Sequence, residues 1–573
     1  VTLPSPAPDR PGPAAAGSLQ PVPIRPDPLT VGDLLREYPS DLRLLPGDPA
    51  DATGVGLTGV THDSRRVVPG DLYAALPGGR VHGARFAGQA AAAGGAAVLT
   101  DPAGAALCRE ALPAVPVLVH PDPRRILGPV AAAVHGHPSH ALDVVGVTGT
   151  NGKTTVTWLA HHMLRSVGVD AGLVGTVAVR VHDDEVPSAM TTPEATDLQA
   201  TLARMRDAGV SAVALEVSSH ALALHRVDGT RMTVVGFTNL SQDHLDFHGD
   251  MESYLAAKTR LFTGGFAGRA VICADDGAGR RVAAAARSAG LDVWTVATGE
   301  PPADPGADVV MLTAATGVDG RQEVRVRGPF ADDGAAAGLT FEVPVPGRHN
   351  AVNAVLALSL VVRLADAAPG GRPPGLAASA ARSLRAFTGV PGRMERVVDP
   401  ASPGRTPLVV VDYAHTPEAV STALESLRAA TPGRLVVVLG AGGDRDPGKR
   451  GPMGAAAAEA ADVVVVTDDN PRREDPSVVR AAVLAGAVSA PRRRAGDVVE
   501  VADRAGAVAR ALAACDGPGD TVLVAGKGHE TGQDHGDRVE PFDDREAAAR
   551  ALQAWALEAG VAERATPRGT PDG

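Results

Sequence analysis

Three cysteines in 573 residues, Cys108, Cys273 and Cys515, with no CxxC pair among them, leave neither a disulfide framework nor a structural zinc site to organise the chain. Buried, reduced thiols are expected instead. Positive charge is short as well. The 54 Lys and Arg stand against 66 Asp and Glu, a formal charge of -12, and duplex binding rests on the opposite excess, so a general nucleic-acid binder is excluded. No stretch is apolar for long enough to span a bilayer, and the opening VTLPSPAPDRPGPAAAGSLQPVPIRP has no basic start followed by an apolar core. A cytoplasmic protein, acting as a monomer on small molecules without nucleic-acid or membrane partners, is expected. The opening is too rich in proline to bury a core, so residues 1–26 read as a disordered tail and 561–573 as a flexible one. Also missing is a G-x-G-x-x-G that opens a helix at Gly442-Gly443 or Gly526, which argues against a dinucleotide fold of the NAD type.

What the chain does contain, from Val144 to Thr155, is VVGVTGTNGKTT: an apolar run, a glycine-rich turn and a Lys-Thr-Thr that opens a helix. Gly149 and Gly152 let consecutive N–H groups turn toward an anion, Lys153 adds a point charge, and Thr154 offers a hydroxyl to Mg2+. Val156, Leu159, Met163, Leu164 and Val167 recur at helical spacing until Gly168 stops the pattern. The strict phosphate-loop pattern asks for glycine at 147, where this chain has Val147.

The length predicts several domains, and the pattern is α/β throughout. A small α/β domain over 27–140 has a strand at Gly59 running into the polar turn His62-Asp63-Ser64-Arg65, and further strands near Asp71, Ala96 and Val115. A central domain over 141–391 alternates strands and helices in a mainly parallel sheet. Its strand Ser211–Val217 ends in Glu216 and Ser218, and Val234–Leu240 runs into the cluster Asp243-His244. Ligands bind at the carboxyl ends of parallel strands, so Glu216 and His244 are candidate magnesium ligands beside the loop. His220, His225 and His248 read as satisfied or solvent-facing imidazoles, Lys258 lies on a helical stretch, and Glu323–Arg327 with Thr340–Val345 reads as a hairpin. A Rossmann-like doubly wound domain over 392–560 has four buried-type strands that end in DYAHTP, GAGGDRD, TDDNPRRE and AGKGHE. Asp412, His415, Arg445, Asp469, Asn470, Arg472 and Glu530 at those ends equip it for a small charged ligand: carboxylates suit an ammonium and arginine forks suit carboxylates.

These stretches together, TGTNGKTT, MTTPE at 190–194, EVSSHAL at 216–222, NLSQDHLDFHGDMESY at 239–254, AAK at 256–258, GRHNAVNA, GRMERV, DYAHTP, GGDRDPGKR, DDNPRRE and GKGHE, resemble the Mur ligases over residues 30–555. Among them the likeness is to those that add the third peptide residue to UDP-N-acetylmuramoyl-L-alanyl-D-glutamate. The resemblance implies three domains, for the UDP-sugar substrate, ATP and the incoming amino acid. It implies ATP binding by Gly149, Thr150, Asn151, Gly152, Lys153, Thr154 and Thr155, with Asn350, Arg393 and Asp412. It implies catalytic roles for Lys153, His244 and Lys258, the last as an N6-carboxylysine, and a magnesium site of Thr154, Glu216, His244 and Lys258. Ser64, Thr191, Thr192, Ser218 and Arg226 would contact the UDP-sugar dipeptide, and Leu224 and Met190 depart from the glutamine and asparagine of some members. Asp469, Asn470, Pro471 and Arg472 resemble the version of the motif that selects meso-diaminopimelate over lysine, with Arg445, Gly526 and Glu530 completing the pocket. The lysine-adding version, a folylpolyglutamate-synthase-like ligase and a nucleotide-gated binding protein are the alternatives; DNPRRE and GKGHE argue against the second.

Overall fold

The computed structural model describes residues 28–560, except 113, 189, 300, 301, 303, 317–320, 332–336, 403 and 445. Both expected tails and Arg445 lie outside the described residues. The chain divides into two compact units. One comprises the chain up to Met311 with Arg327–Leu339 and Asn353–Ser383; the other comprises Leu312–Val326, Thr340–Val352 and the chain from Leu384 on.

The first unit holds a two-stranded pair, Leu29–Thr30 with Gly56–Leu57, and two larger sheets. The smaller runs in the order Arg43–Leu44, Val117–Val119, Ala97–Thr100, Asp71–Ala74, Gly59–Thr61, parallel except for its first pair. Successive side chains on a strand face opposite sides. Leu72, Leu99 and Leu118 therefore pack on Ile126, Leu127 and Val130 of the helix Pro123–Val134, and Tyr73, Val98 and Val117 pack on Ala84, Ala87 and Cys108. That helix was not singled out from the sequence. It anchors the small sheet: Arg124 pairs with Glu194 at 3.1 Å, while His62 meets Thr196 at 3.0 Å and Arg66 meets Asp197 at 3.0 Å.

The central sheet is built outward from Asp143–Thr148, with Ala212–Glu216 on one side and Val234–Phe237 on the other, both parallel to it. Ala171–Val174 extends the first side, and Arg269–Cys273 and Asp292–Thr298 extend the second, all parallel. The edge hairpin Ala178–Val181 with Asp184–Pro187 runs antiparallel. The hairpin expected at 323–345 forms the strands Gln322–Gly328 and Ala337–Val343, neighbours in sheet order.

In the second unit a six-stranded sheet runs Glu395–Val397, Leu408–Asp412, Thr521–Ala525, Leu435–Leu439, Val463–Val466, Asp497–Glu500, parallel after the first pair. The run Val463–Val466 is buried at every position, as a strand covered on both faces must be. Sequence reading missed Asp497–Glu500 and the short hairpin Gly532–Asp534 with Val539–Pro541. All four expected polar clusters nevertheless emerge at one edge, where the parallel strands end.

Beneath that edge lies an ion pair with no exposure on either side chain. Arg504 Nε and Nη2 donate to the two carboxylate oxygens of Asp544 at 2.7 Å each, and its remaining donors reach the carbonyls of Ala525 and Asp468. Removing one partner strands the other charge in the interior. Arg504→Ala is expected to cost about 3–5 kcal/mol, read as a lowered denaturation midpoint of the second unit. Arg504→Leu with Asp544→Leu, which leaves no lone charge, should recover much of it; equal losses in both variants would contradict this account.

Candidate active site

The loop after Asp143–Thr148 turns through two glycines in conformations that L side chains rarely adopt, Gly149 at φ +146° and Gly152 at φ +88°. A Cβ on Gly149 would stand 1.8 Å from Thr238 Oγ1, and one on Gly152 2.5 Å from Asn353 Oδ1, so glycine is required at both on two grounds. The helix Lys153–Ser166 then begins without a side-chain cap and without an acidic residue in its first turn. The N–H groups of a helix's first turn have no partner within the helix, and with the positive dipole end they suit an anion. By contrast, the helix Met251–Thr263 nearby is closed by Asp250, which accepts from Ser253 N at 2.7 Å. Lys153 Nζ donates to the carbonyls of Gly149 and Thr150 at 3.0 and 2.9 Å, which holds the ammonium over the loop. Asn151 is fixed by Asn239 and Ser241, and Thr150 Oγ1 pairs with Tyr254 Oη at 3.2 Å. Thr155 is buried on the first helical turn.

Thr154 donates its hydroxyl to Glu216 Oε2 at 3.0 Å. Glu216 is fully buried at the end of its strand and also accepts from Thr176, through the backbone N–H at 2.8 Å and the hydroxyl at 2.9 Å. Gly175 makes room for it: a Cβ there would come within 2.2 Å of Oε1. The residues expected to meet the UDP-sugar dipeptide gather around this carboxylate. Thr191 pairs with Thr176 at 3.1 Å, and Thr192 donates to the Glu216 carbonyl at 2.8 Å and accepts from Ser218 N at 3.0 Å. Arg226 donates to the Thr192 carbonyl at 3.3 Å and pairs with Glu194 at 2.8 Å. Its other contact is Met190 Sδ at 3.7 Å, a weak acceptor where the expected pattern has an amide. Ser64 sits apart from this network, on the turn beyond Gly59–Thr61, with its hydroxyl 3.5 Å from Gln89 Oε1.

Lys258 is only 1% exposed. Its ammonium donates to the Gly149 carbonyl at 2.7 Å and lies 4.4 Å above the Tyr254 ring. Burial, helped by the charge of Lys153, holds its pKa well below the usual lysine value. His244 has a left-handed backbone at φ +53° and lies in a ring cluster with His220, 4.8 Å between centroids, and Tyr254 at 6.3 Å; its side chain is 47% exposed. His248 meets Ser219 Oγ at 3.0 Å, and His225 meets Asp228 at 2.7 Å. Among the described residues no group of three or more His, Cys, Asp or Glu forms a metal cage. What the loop does offer is a hydroxyl and a carboxylate side by side, hard oxygen donors of the kind magnesium takes.

In the second unit, Asp412 is locked at its strand end by the N–H groups of Met394 at 2.7 Å and Ala414 at 2.9 Å, and burial raises its pKa. Arg393 stacks over Tyr413 at 4.2 Å, and Asn350 is buried with Nδ2 on the Pro346 carbonyl at 2.7 Å. Asp469, Asn470, Pro471, Arg472, Gly526 and Glu530 converge. Asn470 Nδ2 donates to Glu530 Oε2 at 2.8 Å, and Gly443, whose Cβ would meet the Pro471 carbonyl at 1.9 Å, carries the carbonyl that accepts from Arg472 Nη1 at 2.7 Å. Gly526, at φ +120°, lets Asp469 approach. Arg472 adopts φ +53°, its N–H donates to the Asp534 carbonyl at 2.9 Å, and Nε lies 3.5 Å from Asp534 Oδ2.

Sequence reading missed Thr176, Arg124, Asp534 and Lys527. Only the last left a signal in composition: of the 54 lysines and arginines, the lysines are Lys153, Lys258, Lys449 and Lys527, every one inside a motif.

A loop for a nucleotide phosphate, a hydroxyl-carboxylate pair beside it and a separate pocket of mixed charge define a nucleotide-using enzyme of the α/β class. Three family models match the chain: Mur ligase family, catalytic domain, over 56–135; Mur ligase middle domain, over 147–361; and Mur ligase, glutamate ligase domain, over 392–528. UDP-N-acetylmuramoyl-L-alanyl-D-glutamate--2,6-diaminopimelate ligase of Streptomyces coelicolor is 48% identical over 498 residues, 87% of this chain and 92% of the relative, and that of Corynebacterium glutamicum is 43% identical over 513 residues, 88% and 94%. A solved structure of a ligase with the same name is 30% identical with a TM-score of 0.61, covering 88% of this chain and 96% of its own. The chain belongs to the Mur ligase family.

Because Lys153 is half-buried at the start of its helix and not in a core, Lys153→Ala is expected to keep the native melting profile while turnover falls by roughly 10³-fold or more through lost charge stabilisation. Near-native turnover in a folded Lys153→Ala protein would remove the loop from the chemistry.

Proposed function

We propose that this chain is an ATP-dependent ligase that joins meso-2,6-diaminopimelate to UDP-N-acetylmuramoyl-L-alanyl-D-glutamate in the synthesis of a peptidoglycan precursor. The observation that carries the choice of amino acid is the held guanidinium of Arg472, beside Asn470 and Glu530 at the edge of the C-terminal sheet. Residues 27–140 take the nucleotide sugar, 141–391 take ATP and 392–560 take the amino acid. Both nucleotides belong to the cytoplasm, and the working unit is a monomer.

A carboxylate does not acylate an amine unaided. The γ-phosphoryl group of ATP passes to the D-glutamate γ-carboxylate, ADP leaves, the diaminopimelate amine attacks the acyl carbon, and phosphate departs as the amide forms. Lys153 and the uncapped helix start spread the charge of the transferring phosphoryl group, a step that depends on positioning and electrostatics. Thr154 and Glu216, with His244 and the carbamate of Lys258, would hold Mg2+, which supplies charge neutralisation at the phosphates. Lys258 suits the carbamate because its buried amine is readily neutral: the nitrogen lone pair adds to carbon dioxide and one proton leaves, turning a neutral amine into an anion. Lys258→Ala should be nearly inactive, and short carboxylic acids should restore part of the rate. Full activity without additive would rule out the role.

Meso-diaminopimelate carries a second carboxylate where lysine carries hydrogen. Burying that charge without a partner is costly, and a guanidinium meets it with two parallel hydrogen bonds, whereas lysine would leave the fork unmatched. Discrimination on the order of 10⁴ in kcat/KM is expected, as in other sites whose buried polar groups the wrong substrate leaves unpaired. Measured with both amino acids, Arg472→Ala should lose most of that ratio and leave the KM for ATP unchanged. Equal use of lysine by the native enzyme, or an unaltered ratio in the variant, would refute the assignment.

A further inference from the structure

Lys527 is the only lysine in the second unit with no exposure at all, and it is among the largest fully buried side chains of the protein. Its ammonium is held on three sides. Nζ donates to Asn470 Oδ1 at 2.9 Å and to Glu530 Oε2 at 3.2 Å, and it lies 3.8 Å from Asp469 Oδ1, a buried oxygen that has no hydrogen-bond partner. The consequence for Asn470 is geometric. Its Oδ1 accepts from Lys527 and also from Asp534 N at 2.9 Å, so the amide can point only one way, with Nδ2 on Glu530 Oε2. One buried cation thus sets the orientation of an amide and holds a carboxylate. The charge count matters too: without Lys527, Asp469 and Glu530 would face each other as two anions at one edge.

We infer that Lys527 is a positioning residue of the amino-acid pocket, fixing Asn470 and Glu530 in the geometry that receives the ammonium and carboxylate common to all α-amino acids. The inference rests on the reading of this pocket as the amino-acid site. The chemistry explains why a lysine stands here in a chain that uses arginine almost everywhere. A compact ammonium with three rotatable donors fits between three oxygens inside a closed space, whereas a planar guanidinium needs a wider, flatter gap. Lys449, at the same sheet edge, donates to the His415 carbonyl at 3.0 Å and is half-buried.

The test compares Lys527→Met, which keeps length and loses the charge, with Lys527→Ala with and without ethylammonium, by measuring kcat and the KM values of all three substrates. The KM for diaminopimelate should rise by about tenfold to a hundredfold, the loss of one to two charge-assisted contacts. The KM values for ATP and the UDP-sugar dipeptide should stay within about twofold, because the hydrogen bonds of Lys527 run to Asn470 and Glu530, which belong to the amino-acid pocket. Ethylammonium should bring the diaminopimelate KM of Lys527→Ala back toward native, a recovery that a purely structural lysine would not give. Folded variants with an unchanged diaminopimelate KM, or with all three KM values raised together, would overturn the inference. If neither variant folds, the native enzyme is read instead: lysine labelled with 15N at Nζ gives few signals in this chain, and the buried one must shift on saturation with diaminopimelate, with no shift counting against the role. Native enzyme that ligates no amino acid would defeat the pocket reading itself; native ligation with indifferent variants would defeat only Lys527.

Discussion

One buried carboxylate holds the nucleotide half of the protein together. Glu216 gives up its water for three hydrogen bonds, from the Thr154 hydroxyl and from both donors of Thr176, and a buried charge is tolerable only when its oxygens are occupied in this way. Those donors come from the start of the phosphate-loop helix and from the turn after Ala171–Val174, so the carboxylate ties three adjacent strand ends to each other. Thr192 hangs on its backbone carbonyl and Thr191 on Thr176. The positions of both threonines therefore depend on a residue that the phosphate-loop helix also holds.

The same economy governs the second sheet with the signs rearranged. Arg504 and Asp544 neutralise each other underneath, and Arg504 also satisfies the Ala525 and Asp468 carbonyls, which anchors the chain at the ends of two strands that flank Leu435–Leu439. With that foundation closed, Asp469, Asn470 and Glu530 above it are free of structural duty toward the core. Parallel topology supplies the rest: strands that all end at one edge deliver residues far apart in sequence to one place.

What was legible in the sequence follows from this. The phosphate loop, the Val-rich strands and their polar ends are local signals, set by turn chemistry and by burial on both faces, and they were readable without coordinates. Partnerships were not. Nothing in GTVAV marks Thr176 as the donor to a glutamate 40 residues on, and Asp534 reaches Arg472 only because the short hairpin Gly532–Asp534 with Val539–Pro541 folds back, a pairing too brief to show as alternation. The strand Asp497–Glu500 was missed because its residues are exposed or half-buried, unlike its neighbour Val463–Val466. His244, a candidate magnesium ligand in the sequence, has beside Asp243 two rings, His220 and Tyr254, which come from two helices that only packing unites. The distribution of lysine was visible all along and carries more than any single motif.

The left-handed backbone of Arg472 bears on how such a pocket can change. A non-glycine residue at φ +53° stores on the order of 1–3 kcal/mol of strain, and its N–H is committed to the Asp534 carbonyl. With Arg472 in its proposed role, amino-acid choice is written partly in the main chain. Exchanging the side chain alone leaves a loop still bent to present a fork, and a β-branched replacement would meet the steric penalty of that bend. A lineage drifting toward another substrate would have to rebuild the turn and its partner hairpin together, so substrate preference here is inherited as a segment and not as a residue.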